Sequence, residues 1–509
     1  MATDSVAPNE SGERRPIADL HTRLREIYGG RKIILAGASL ARYRTTRSFL
    51  EQLGAEPPLV LATGSPRSTP VPDRDLFWEY PIKAANYGEE VDFWEAVCRL
   101  PADAARHLTR YNAEKLVEMH EKIERYDPNR EALVLIERPV TSNRLGERAA
   151  FGPRRPDWVD LERKVRTDEV IDAAQVPRPE IAIVELAGLD RVQHIAEDLD
   201  EGHGTVWSGD PRVGVGMGGR FVRRIRNEKD AAAAYAFFSE KAAGDVIRVS
   251  PFVEGMPCSV HGIVTADNVV VFRPVEQIVL RHGTNLSYVG ASTFWDPSFV
   301  DRYNIRKYAR RVGEYLRDAH DFRGTFTLDG ILSEHGFVAN EVNPRPGAAM
   351  GYVEAVLPEF PSELVQHALV EGFDVLPDAL EMEQFVLDHV DERRWSKVAV
   401  PTRRGPDELQ VLHLFGSKAA RRNDQPDIRV AWSASRGRGS VAIAFDPDHY
   451  VPGKPIAPMV VKSLLAARNE WNTKFRAPRY EAAQEVVSRH ARGLNERGGL
   501  HRNINDFFA

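Results

Sequence analysis

Residues 324–347 read GTFTLDGILSEHGFVANEVNPRPG, and this stretch decides how the rest of the chain is read. Residues 325–332 are rich in β-branched and apolar side chains. Residues 333–336 (SEHG) have turn composition, and residues 337–342 run back toward the interior, which predicts a two-stranded hairpin. Asp329 lies in the first strand, and Glu341 and Asn343 close the second. Opposed side chains on one face of an antiparallel pair are neighbours. The hairpin therefore gathers two carboxylates and an amide oxygen, with Arg345 just beyond. Oxygen ligands of this kind, shared with substrate phosphates, are what Mg2+ favours.

Composition narrows the class. A chain of 509 residues exceeds one ordinary core, and roughly two to four domains are expected. The net charge of −6 is mild for this length, which gives no reason to expect nucleic acid or an anionic membrane as a partner. Cys98 and Cys258 form no motif with each other or with nearby histidines, so a reducing compartment is the default. The polar start MATDSVAPNESGERRP lacks the apolar core of a secretory signal, and no apolar run is long enough to span a bilayer. A cytoplasmic location is expected.

In chain order, residues 1–16 are expected to form a disordered tail. Residues 17–157 predict an α/β domain: a helix at 17–28, buried strands KIILA (32–36) and PLVLA (58–62) around a helix at 42–53, helical sequence over 91–125, and the strand ALVLI (132–136). The turn Gly37-Ala38-Ser39 lacks the full glycine fingerprint of a dinucleotide site and reads as scaffold. A second domain is expected over 158–372, opening with an amphipathic helix at 161–174 that the prolines at 177 and 179 stop. Gly214, Gly216, Gly218 and Gly219 fall within seven residues, suited either to a flap over phosphates or to a hairpin tip. Residues 246–253 (VIRVSPFV) predict a strand leading to Glu254. An amphipathic helix at 302–320 then delivers the chain to the acidic hairpin. Residues 373–509 predict a small α+β domain, with strands at 383–390, 409–415, 428–433 and 440–445 and helices at 462–475 and 480–494. The basic patches at 403–404, 421–422 and 436–438 read as solvated loops.

The order of these elements, and above all Glu341-Val342-Asn343-Pro344-Arg345-Pro346-Gly347 preceded by Asp329, resembles the ATP-grasp superfamily over residues 158–371. The implied fold is a Rossmann-like N-terminal domain, an ATP-grasp fold and a small C-terminal α+β domain. The resemblance implies that Asp329, Glu341 and Asn343 hold two Mg2+ ions, with Mn2+ as an alternative, and that Arg345 steadies the γ-phosphate and the tetrahedral intermediate. It places Lys164 on the ATP phosphates, the glycines at 214, 216, 218 and 219 above them, and Phe252 and Val253 at the adenine. The sequence departs from the pattern twice. No lysine stands on the strand before the glycine loop, where Val206-Trp207-Ser208-Gly209-Asp210 is found, leaving Arg212, Arg220 or Arg223 to supply charge. The usual ribose glutamate is absent, leaving Glu254 as its substitute.

The implied activity is an ADP-forming ligase that joins a carboxylate, expected from an amino acid, to the amine of a second amino acid or small peptide. Peptide-bond formation in specialised-metabolite and antibiotic biosynthesis is the expected setting. Small-molecule substrates and a homodimer are the implied partners. His261, Arg273, Arg281 and His282 flank the expected acyl pocket, as carboxylate-binding or structural residues. A carboxylase, a thioester-forming ligase and a non-catalytic nucleotide-binding protein are the competing readings.

Overall fold

The computed structural model describes residues 15–38, 40–63, 75–80, 87–98, 113–212, 219–282, 284–293, 295–393, 395–402, 410–413, 428–435 and 438–445. Residues 1–14 of the expected N-terminal tail, Ser39, Gly214, Gly216, Gly218, the helices at 462–475 and 480–494, the patches at 403–404 and 421–422, and residues 436–437 lie outside these residues, whereas Arg15 and Pro16, expected in the tail, open a helix.

The chain opens with α1 (Arg15–Tyr28), where Leu20, Leu24 and Tyr28 recur at helical spacing and are buried. There follow β1 (Ile33–Ala38), α2 (Leu40–Gln52), β2 (Leu59–Thr63), β3 (Phe77–Tyr80), α3 (Tyr87–Cys98), α4 (Ala113–Tyr126) and β4 (Leu133–Ile136). The four strands stand in the order β3-β2-β1-β4 and pair in parallel throughout. The continuous apolar runs of β1, β2 and β4 have the composition of a parallel sheet covered on both faces. Strand β3 has no counterpart in the sequence reading, because FWEY is short and alternates between half-buried and buried residues.

A small ribbon, β5 (Arg144–Leu145) with β6 (Arg148–Ala149), leads to α5 (Pro156–Asp160) and α6 (Thr167–Ala173). The single helix expected over 161–174 is thus broken, and residues 161–166 form turns. The cause is a side chain distant in sequence. The Asp210 carboxylate accepts a 2.8 Å hydrogen bond from the Lys164 backbone N–H and holds the bend open.

Next come β7 (Ala182–Glu185), α7 (Leu189–Leu199), β8 (Thr205–Ser208), β9 (Val222–Ile225), α8 (Glu228–Lys241) and β10 (Val246–Pro251). These form a small antiparallel layer in which β10 pairs with both β7 and β8, and β8 pairs with β9. The chain continues through β11 (Met256–Val264), β12 (Val269–Val271), β13 (Val275–His282), β14 (Asn285–Ser292), α9 (Phe299–His320), β15 (Gly324–Ser333) and β16 (Gly336–Asn343). The acidic hairpin is β15–β16, and Gly336 at φ +111° closes its turn, a conformation that glycine adopts without penalty. Helix α9 starts at Ser298, whose side chain accepts from the Asp301 N–H, and ends at Asp321 in the left-handed region. Its buried stripe Ile305, Ala309, Val312 and Leu316 packs in the same core as Leu328 and Val342 of the hairpin.

The last described elements are α10 (Gly351–Val356), α11 (Ser362–Glu371), α12 (Ala379–Glu392), β17 (Ser396–Thr402), β18 (Gln410–His413), β19 (Ile428–Ser435) and β20 (Arg438–Phe445). The strand expected at 383–390 is helix α12. Ala379, Met382, Val386 and Val390 recur at helical spacing and enter one core with Leu20 and Leu24 of α1 and Val353 of α10. Strand β17 pairs with β14 and β20 with β17, so the C-terminal strands extend the sheet that holds the acidic hairpin. Among the described residues, no helix is long and apolar enough to cross a membrane.

Candidate nucleotide and metal site

Strands β11, β15 and β16 lie side by side, and their register builds the site. Ser259, Asp329 and Glu341 form one row across the three strands, and His261, Thr327 and Asn343 form the next. Residues two apart share a face of a sheet, so both rows face the same way. They line a cavity of about 280 Å3 between this sheet and the β8–β10 layer. Lys164, Gly219, Phe252, Val253, Asp329, Glu341, Asn343 and Arg345 all line it, although they come from segments far apart in sequence.

Hydrogen bonds knit the polar end together. Asp329 accepts from Ser259 Oγ at 2.6 Å and from Gln277 Nε2 at 2.9 Å on one oxygen, and from Asn343 Nδ2 at 3.4 Å on the other. Arg345 donates to Asn343 Oδ1 at 3.0 Å and to Glu162 at 3.1 Å, and Glu162 also pairs with Arg154. The Lys164 ammonium contacts Glu341 directly. Helix α6 fixes that approach, because Thr167 Oγ1 accepts from the Val342 N–H at 2.8 Å and docks the helix on β16.

Among the described residues, no group of three or more His, Cys, Asp or Glu side chains is suited to a metal ion. Mg2+ does not need one. It retains waters and takes one or two protein carboxylates together with substrate phosphates. Asp329, Glu341 and the Asn343 amide are all oxygen donors on one wall of one cavity, and this donor set fits Mg2+ held with a nucleotide.

Burial first, and the Glu341 charge second, push the Asp329 carboxyl up to about 6, while Ser259, Lys164 and Arg345 pull it down. This carboxyl is raised above its unfolded value. It therefore favours the cation-free fold below about pH 4, and that contribution is lost as pH rises through about 6. A cation needs the ionised form, so Mg2+ binding near pH 6 is expected to release about half a proton, whereas binding at pH 8 releases almost none from this group. Calorimetry of Mg2+ binding in two buffers of different ionisation enthalpy checks this at each pH. Equal proton release at pH 6 and pH 8 would contradict it.

Some expected residues stand elsewhere. Glu254 does not line the cavity, and its carboxylate is 3.5 Å from His203 Nδ1 at a partly exposed position. Arg212 binds the Ala242 carbonyl and Asp245, away from the cavity. Arg223 stacks on Phe237, and Arg220 is exposed. Arg273 is fully buried and bound to Asp296, Asp391 and the Trp295 carbonyl, which is a structural role. The side chains of Arg281 and His282 lie outside the described residues.

The sequence reading missed Arg248. It lines the cavity from β10, directly opposite Ser208 of β8, and makes two hydrogen bonds to Asp168 at 2.6 and 2.7 Å. A signal was present, since an arginine interrupts the apolar strand VIRVSP, whose residues past the first are buried. Neutralising the charge took Asp168, a residue 80 positions away.

The family model of the ATP-grasp domain matches residues 162–349. No curated protein sequence matches the chain at a significant level. Similar solved structures include a biotin carboxylase from Campylobacter jejuni, 15% identical, covering 86% of this chain and 90% of that one with a TM-score of 0.49. An N5-carboxyaminoimidazole synthase from Aspergillus clavatus is 13% identical over 82% of this chain and 94% of that one, with a TM-score of 0.46. An L-amino acid ligase from Bacillus licheniformis is 11% identical over 82% and 94%, with a TM-score of 0.47. These names cover different reactions, and likeness at this level does not choose among them. The sequence match and the geometry of the cavity agree on one conclusion: residues 162–349 are an ATP-grasp domain.

Proposed function

We propose that the protein is an ADP-forming ligase that activates the carboxylate of an amino acid as an acyl phosphate and joins it to the amine of a second amino acid or small peptide. The observation that carries this reading is the convergence of Lys164, Asp329, Glu341, Asn343 and Arg345 on one cavity wall. Binding a nucleotide alone needs no such set of carboxylates.

The nucleotide would lie with its base toward Phe252 and Val253, at the apolar end of the cavity, and its phosphates toward Lys164 and Glu341. Phe252 is buried, and the Arg224 guanidinium lies over its ring at 3.4 Å, which holds that wall in place. Bound Mg2+ would neutralise charge on the transferred phosphoryl group. Attack of the substrate carboxylate on the γ-phosphorus forms the acyl phosphate and releases ADP. The amine then attacks the acyl carbon, and phosphate leaves. Arg345, held by Asn343 and Glu162, would stabilise the oxyanion of that second step. Lys164 would exchange Glu341 for a phosphate oxygen as the nucleotide enters, since one ammonium serves either anion. The domain limits 17–157, 158–372 and 373–509 remain part of this proposal.

The test is ADP release from ATP and Mg2+ across amino acids supplied singly and in pairs, with mass spectrometry of the products. Release that depends on a pair, with a condensed product, is expected. Release stimulated by bicarbonate or coenzyme A and not by amines would move the protein to a carboxylase or a thioester-forming ligase.

A further inference from the structure

Among the described residues, three lysine or arginine side chains line the cavity: Lys164, Arg345 and Arg248. Lys164 and Arg345 stand beside the acidic hairpin, held by Glu341, Asn343 and Glu162. Arg248 comes from β10 in the opposing layer, and the ligase reading gives it no task.

Its place is set by strand register. Val206 pairs with Ser250 and Ser208 with Arg248, and all four residues line the cavity. The β8–β10 layer thus presents one alternating face to the site. Strand β10 runs on to Phe252 and Val253, the proposed wall of the base. Arg248 stands four residues before Phe252, about 13 Å along an extended strand. A nucleotide that lies along β10 with its base at Phe252 therefore brings its phosphates to Arg248.

Among the described residues, no other cation serves this wall. Strand β8 itself carries no basic residue. Arg212 is bound to the Ala242 carbonyl and Asp245, Arg223 lies over the Phe237 ring, and neither lines the cavity.

The guanidinium is also held in a way that suits an anion. Asp168 takes Nε and Nη2 at 2.6 and 2.7 Å, which fixes the guanidinium plane. Nη1 makes no hydrogen bond to a described residue, and protein atoms do not seal it off. Asp168 does not line the cavity and Arg248 does, so the ion pair turns its positive end toward the cavity. The carboxylate behind it is shared, since Arg178 lies 3.8 Å from Asp168. An arginine fixed along one edge loses little freedom when its free nitrogen takes an anionic oxygen.

We infer that Arg248 binds the α- or β-phosphate of the nucleotide through Nη1, and that Asp168 is the residue that orients it. The inference rests on the nucleotide part of the ligase reading and is independent of which acid and amine are joined.

Arg248→Met alone leaves the buried Asp168 carboxylate unpaired, so the main variant is Arg248→Met with Asp168→Leu, which leaves neither charge. Calorimetry measures the binding of adenosine, AMP and MgADP to the wild type and to this variant, and circular dichroism checks the fold. MgADP is expected to bind the variant about 10- to 100-fold more weakly, as the loss of a hydrogen bond between charged groups, and adenosine within about two-fold of the wild type. A loss shared by AMP assigns the contact to the α-phosphate, and AMP left unaffected assigns it to the β-phosphate. Arg248→Lys keeps a charge but cannot serve Asp168 and a phosphate at once, so its MgADP affinity is expected to fall between the two. Adenosine weakened as much as MgADP would mean that the cavity wall has collapsed, which overturns the phosphate contact. MgADP bound as tightly as by the wild type overturns it as well, and both results leave the ligase reading standing. A wild type that binds none of the three removes the nucleotide site itself, and this inference with it.

Discussion

Glu341→Gln is expected to lower ATP turnover by about 10³-fold or more, a loss of roughly 4 kcal/mol of transition-state stabilisation, with the fold retained. Glu341 faces Asp329 across the hairpin and holds the Lys164 ammonium in this structure. Glutamine keeps the size and one oxygen but carries no charge, so it is a weaker ligand for a hard cation. The backbone pairing of β15 and β16 does not depend on this side chain, and the Val342 bond to Thr167 remains. Far-ultraviolet circular dichroism should therefore match the wild type, while ADP release falls and Mg2+ binds more weakly in the presence of nucleotide. A Glu341→Gln variant with wild-type turnover would remove the cation site from the mechanism.

The second large effect concerns stability. Arg248→Met is expected to cost about 3–5 kcal/mol, because it leaves a buried carboxylate without its partner. Asp168 and Arg248 are only 9% and 5% exposed in their side chains. Among the described residues the other cation paired with Asp168 is Arg178, 3.8 Å away and already bound to Asp172. Replacing both members with apolar residues, as in Arg248→Met with Asp168→Leu, is expected to recover most of the loss, since no charge then remains to be solvated. Urea denaturation of the wild type and the two variants measures this. A single variant within about 1 kcal/mol of the wild type would show that water or Arg178 compensates for Asp168.

The two variants probe different depths of sequence legibility. Glu341 could be read directly, because its neighbours in space, Asp329 and Asn343, are also near in sequence and a short turn sets their register. Arg248 could not. Its partner Asp168 is supplied by α6, and its place opposite Ser208 depends on the pairing of β10 with β8. The break before α6 follows the same pattern, since Asp210 holds the Lys164 bend from 46 residues away. Helix α12 was misread for another reason. Its residues 383–390 can be read as a strand, and only burial of Ala379, Met382, Val386 and Val390 against α1 and α10 settles the period.

By itself the sequence determined the parallel N-terminal strands and the acidic hairpin that brings the side-chain oxygen donors of Asp329, Glu341 and Asn343 close together, because local hydrophobic pattern and a short turn suffice to specify them. The tertiary structure decided what those donors face. It set Ser259 and His261 beside Asp329 and Thr327 across a separation of about 70 residues, brought Lys164 to Glu341, put Arg248 in the cavity wall and left Glu254 outside it. Those placements depend on the register of strands distant in the chain. That register follows from the burial of whole faces, which no single stretch of residues records.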